Sequence, residues 1–224
     1  MKKIILMLSV FSVAMTSLSA RTIRSVFLQA PRNAPEVALL YPSDAVGEGV
    51  EVALPGRNLS PEVELPAGDL TFYVLSNAPI EDEEIPAGAQ KISIPAAWTN
   101  CTIIFIPDRQ NKIFPGRAIV VNSTNDNFAK GDTIVYNLSN VQFRGNFGNE
   151  VVTLRPKKSG TFKAPLPAAG VYPVAMDCVL PTKEKRTITR TKWVHNPNAR
   201  QILFVTPTKG RAIPRVWSVL DHRE

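Results

Sequence analysis

Two stretches of this chain are versions of one another, and they constrain its fold more than any other feature. Residues 103–122 read IIFIPDRQNKIFPGRAIVVN and residues 202–220 read ILFVTPTKGRAIPRVWSVL, aligning without a gap over 18 positions at a shift of 99 residues. Ile103, Ile104, Phe105 and Ile106 then fall on Ile202, Leu203, Phe204 and Val205, and Pro115 falls on Pro214. Each copy is a β-branched apolar run, a polar turn segment and a second β run, which is how a hairpin reads. A period near 100 residues is too long for a solenoid and suits two similar β units in tandem.

The rest of the chain agrees with that class. Nineteen prolines, many beside short apolar runs, oppose long helices and favour short strands with frequent turns. Leu65-Pro-Ala-Gly68 before Leu70–Leu75 is echoed by Leu166-Pro-Ala-Ala-Gly170 before Val171–Met176, at a shift of about 101 residues. Six to eight strands per hundred residues with regular turn signals predict an all-β chain of two tandem immunoglobulin-like β-sandwich domains, over 21–121 and 122–224. A pattern of Arg, apolar residue and Val begins at Arg21, Arg117 and Arg215. It predicts that the domains share a linking strand, or a very short linker, at the middle copy.

Lys2 and Lys3, the apolar run Ile4–Met15 and the small or polar residues Thr16–Ala20 have the layout of a signal peptide over 1–20. No later segment is apolar long enough to span a bilayer as a helix. A secreted or periplasmic mature protein is the expectation. Phe27-Leu-Gln-Ala-Pro31, Leu65-Pro-Ala-Gly68, Ile104-Phe-Ile-Pro107 and Val120-Val-Asn-Ser123 resemble motifs of a group of secreted bacterial β-sandwich proteins with no assigned activity. The resemblance implies a signal-peptide-bearing β-sandwich and carries no catalytic residues.

Charge separates by half. Residues 21–124 hold 8 basic and 12 acidic side chains, and residues 125–224 hold 16 basic and 7 acidic. Such asymmetry suits an acidic partner for the second half or head-to-tail contact between molecules; it is also what an unevenly charged surface gives. The densest basic segment holds Lys183, Lys185, Arg186, Arg190 and Lys192. Period-2 alternation puts Arg186, Ile188, Arg190 and Lys192 on one strand face, with Lys157 and Lys158 expected in adjoining loops. Candidate partners are an acidic polysaccharide, an anionic envelope component or another protein. Export, and the lack of aromatics interleaved with the cations, disfavours nucleic acid. The alternative is an edge strand kept soluble by charge.

Other constellations are sparse. The two histidines, His195 and His222, do not make a zinc ligand set with neighbouring Cys or carboxylates, and no Gly-x-Ser-x-Gly elbow or phosphate-binding loop occurs. No cofactor is expected, and the leading function is a non-catalytic interaction or structural protein. A secreted enzyme centred near His195, with Cys178 as a conceivable nucleophile, is the alternative. The acidic run Glu81–Glu84 and the segment Asn122–Asn127 read as solvated turns, each with a weaker reading as an ion site. Four Asn-x-Ser/Thr sequences, at Asn58, Asn100, Asn122 and Asn137, mark strand ends. Trp98, Trp193 and Trp217 read as core residues or as a carbohydrate platform. Cys101 and Cys178 either form a disulfide, which an oxidising compartment would preserve, or serve as buried thiols.

Overall fold

A computed structural model describes residues 21–44, 48–79, 84–124, 128–163, 165–208 and 210–222. Residues 1–20, read above as a signal peptide, most of the acidic run Glu81–Glu84 and the end of the segment Asn122–Asn127 lie outside the described residues.

Among the described residues the chain is all-β, with sixteen strands in four sheets of four. The first eight are β1 (Arg21–Phe27), β2 (Val37–Pro42), β3 (Val50–Ala53), β4 (Val63–Leu65), β5 (Leu70–Leu75), β6 (Gln90–Ile94), β7 (Asn100–Pro107) and β8 (Gly116–Asn122). The second eight are β9 (Thr133–Asn137), β10 (Gln142–Phe147), β11 (Glu150–Leu154), β12 (Ser159–Phe162), β13 (Gly170–Val179), β14 (Lys185–His195), β15 (Arg200–Thr208) and β16 (Arg211–Asp221). The first half forms sheets β3-β2-β5-β6 and β4-β1-β7-β8; the second forms β11-β10-β13-β14 and β12-β9-β15-β16. Adding eight to each strand number converts one pair of sheets into the other. Both halves also carry a parallel pair, β1 with β7 and β9 with β15. The expected immunoglobulin connectivity is not established by these orders.

Three cores hold the four sheets as a stack. Phe27, Phe72, Val74, Ile103 and Phe105 fill the space between the first half's sheets. Phe143, Phe147, Tyr172, Val174, Leu203 and Val205 do the same in the second half. The third core joins the halves: Val26, Leu28, Ile104 and Val121 meet Ile202, Phe204 and Val219, with Phe128 of the connector buried among them. This explains the repeated apolar runs. A strand buried on one face alternates, whereas β7 and β15 are covered on both faces along the unbroken apolar runs Ile103–Ile106 and Ile202–Val205.

The repeat itself is one residue out of register when read from the sequence. Ile103 points into its own sandwich, but so does Leu203; Ile202 points the other way, into the third core. The Leu28 N–H donates to the Phe105 carbonyl and the Leu138 N–H to the Val205 carbonyl, each at 2.9 Å. Both geometry and burial therefore place Phe105 on Val205, a shift of 100. A slip of one residue turns every side chain to the opposite face, and in a run apolar on both faces nothing in composition opposes such a slip.

The shared-strand reading is corrected: among the described residues no strand belongs to both halves, β8 pairs only with β7, and the chain runs through Phe128 before β9 begins. Strand β4 pairs with β1 over three residues.

Polar contacts pin the seam between the halves. The Arg200 guanidinium is buried and donates to the carbonyls of Ser123 (2.6 Å) and Phe128 (3.0 Å) and to the Asp221 carboxylate. Arg24 of β1 reaches the same carboxylate at 3.2 Å. Asp221, itself buried, thus joins the first strand of the chain to the last two.

Candidate functional site

The basic segment forms β14, the outer edge of its sheet, hydrogen-bonded only to β13. Its cations do not share a face. Thr189 stands opposite Met176 and Thr187 opposite Asp177, leaving Ile188 as an extra residue in a β-bulge. The bulge reverses the alternation. Arg190 and Lys192 stand opposite Ala175 and Pro173 on the outer face, and Lys185 opposite Val179 joins them. Arg186 stands opposite buried Cys178 and turns inward, and Ile188 packs on the second half's core. Lys183 sits in the preceding turn with φ of 67°, where the Leu180 and Lys183 amides close the chain. Lys157 and Lys158 follow β11, at the opposite edge of the same sheet, and the Lys157 ammonium bonds the Leu138 carbonyl at 2.6 Å. Burial and the nearby Arg117 charge lower its pKa.

Two of the cations already have partners. Arg190 contacts Asp177 at 2.6 Å and Arg186 contacts Glu184 at 2.8 Å. Lys185 and Lys192 have no such partner among the described residues. Arg144 lies opposite Asp177 on the neighbouring strand and faces the same side. This face also presents Val194, Val171 and Val151, at 75%, 63% and 54% exposure, three of the five most exposed large apolar side chains described. Val171 and Val194 are direct cross-strand partners. The outer face of this sheet is therefore cationic and partly apolar.

A groove of about 870 Å³ runs along the other side of β14, where it faces β16 across the open flank of the second sandwich. Met176, Ile188, Trp193, Ile213 and Val216 form apolar wall, and Arg186, Arg211 and Arg215 lie along it. A second groove, of about 1070 Å³, follows the seam between the halves. Its polar groups serve the chain itself: Asn111 accepts from the Ile113 and Phe114 amides, and Gln29 donates to Thr206 across the seam.

His195 lines neither groove. It is buried at the far end of β14, opposite Gly170, whereas Cys178 lies eight residues further along β13. At ~3.4 Å per residue that separation is roughly 27 Å, so the two cannot act as a nucleophile and base. Burial and the Asp177 charge raise the Cys178 pKa, partly offset by Arg186, which keeps the thiol neutral. Cys101 and Cys178 occupy different sandwiches and form no disulfide. Among the described residues no group of three His, Cys, Asp or Glu side chains is placed to hold a metal ion.

The tryptophans do not form a platform. Trp98, Trp193 and Trp217 each pack on a different one of the three cores. No helix among the described residues is long and apolar enough to cross a membrane.

Sequence reasoning missed Arg144, Val151, Val171, Val194, Arg211 and Arg215. The Arg190-x-Lys192-x-Val194 alternation carried a signal for the outer face; no local signal announced that β16 would lie across from β14. No protein-family model and no curated protein sequence matches the chain. The fold and its surfaces define a double β-sandwich protein with a cationic outer sheet.

Proposed function

We propose that this chain is an exported, non-catalytic binding protein that holds an acidic polysaccharide on the outer face of β13 and β14. The observation that carries this reading is the set Lys185, Arg190, Lys192 and Arg144 on one face, against Asp177 as the one carboxylate facing them among the described residues of these strands. Cations two residues apart on a strand recur at about 7 Å, a spacing suited to a polymer of regularly placed anions rather than to one small ion. The exposed valines add contact area that a sugar's apolar C–H face can cover. The net charge of +7, concentrated in the second half, would speed encounter with such a polymer.

The bulge supplies an internal control. Changing Lys185 and Lys192 to Gln should move elution from a heparin column to clearly lower salt, because those charges face outward without partners. Changing Arg186 to Gln removes an equal charge type one residue away, but on the inner side and paired with Glu184. It should shift elution much less. Equal shifts for both variants, or none for the lysine pair, would overturn the reading.

A further inference from the structure

We infer that the groove between β14 and β16 is an acceptor for an extended acidic segment of another polypeptide, which adds as a strand along the free edge of β16. The argument is independent of the polysaccharide face and begins in the first half of the chain. There the corresponding flank, between β6 and β8, is bridged by one side chain. Gln90 donates to the Ala118 carbonyl at 2.7 Å and accepts from the Ala118 N–H at 2.8 Å. Its amide stands in for the peptide group of a neighbouring strand.

The second half keeps the acceptor and lacks the bridge. Ala118 lies opposite Phe105, and Val216 lies opposite Val205. Phe105 and Val205 both direct their carbonyls to the parallel neighbour on the other side, β1 or β9. Residues opposite such positions turn their own N–H and C=O away from the pair. Val216 therefore offers its peptide groups to the open flank as Ala118 does. The counterpart of Gln90 is Thr191: Gln90 faces Val74 on β5, and Thr191 faces Val174 on β13. The Thr191 hydroxyl is turned to the neighbouring Lys192 carbonyl and is too short to cross. Among the described residues no side chain makes the bond to Val216 that Gln90 makes to Ala118.

The chemistry of the walls selects the occupant. Both bordering strands are eleven residues long. A register shift and Pro214, which has no N–H, interrupt the start of β16, so the regular unpaired edge that can template strand addition is Arg215–Asp221. Arg186, Arg211 and Arg215 lie along a groove otherwise lined largely by apolar side chains such as Ile188, Trp193 and Ile213. A strand that alternates carboxylate and apolar residues meets both.

The probe is a fluorescein-labelled eight-residue peptide of alternating Glu and Val, titrated into the full chain by anisotropy. Saturable binding is expected. Backbone N-methylation at every Glu, or else at every Val, should weaken it about tenfold for the set whose amides face β16. Thr191→Gln, which rebuilds the bridge, should weaken binding by a similar factor, while Thr191→Val should leave it within about twofold. The Lys185→Gln, Lys192→Gln variant should bind the peptide as wild type does. No binding, indifference to both N-methylated peptides, or loss of binding in the lysine variant would overturn the inference. Should Thr191→Gln fail to fold, the N-methylated peptides on wild type decide the matter alone.

Discussion

Asp221→Asn is expected to cost about 3–5 kcal/mol of stability, because it removes one charge of a buried, hydrogen-bonded ion pair. Arg200 is only 1% exposed, and its guanidinium also donates to the Ser123 and Phe128 carbonyls and lies over the Phe128 ring. The same substitution weakens the link to Arg24 of β1. Urea unfolding should show a lower midpoint at an unchanged slope. Arg186→Gln, which breaks the half-exposed pair with Glu184, should cost no more than about 1 kcal/mol. Replacing both Arg200 and Asp221 by apolar residues should cost less than Asp221→Asn alone, since both charges of the pair are then removed together. A loss below about 1 kcal/mol for Asp221→Asn would mean that water or another carboxylate reaches Arg200.

Phe204→Ala should cost about 3–5 kcal/mol, the usual range for emptying a buried aromatic site. The location of the damage is more informative than its size. Phe204 is fully buried in the core between the halves and stacks on Tyr136 at 5.9 Å. If that core couples the two sandwiches, hydrogen exchange should accelerate in β5 of the first half as well as in β13 of the second. Acceleration confined to β13 would show that the halves merely touch.

Much of this architecture was legible before any coordinates. Proline frequency, turn spacing and the repeated hairpin led to an all-β chain, and most strand positions follow from short β-branched runs. The errors have a common cause. A run such as Ile202–Val205 is apolar on both faces, so its composition carries no phase, and the repeat slid by one residue. Two-sided burial was nonetheless written there, and read as such it would have announced the third core. The candidate surface suffered from a different gap. Alternation through Arg186, Ile188, Arg190 and Lys192 assumes an unbroken ladder, and the bulge at Ile188 depends on how β13 and β14 meet, which neither strand states alone. Gln90 looked like any polar residue at a strand start; its role as a peptide substitute exists only once β6 and β8 are brought together.

The central claim is that the outer face of β13 and β14 holds the acidic partner, and lysine footprinting tests it most directly. The full chain would be acetylated under limiting reagent with and without heparin, and the extent of modification at each lysine read by mass spectrometry. Lys185 and Lys192 should be protected by heparin, while Lys91, on β6 of the first half over the Tyr73 ring, should react equally in both samples. Protection at Lys91 with none at Lys185 and Lys192 would contradict the claim.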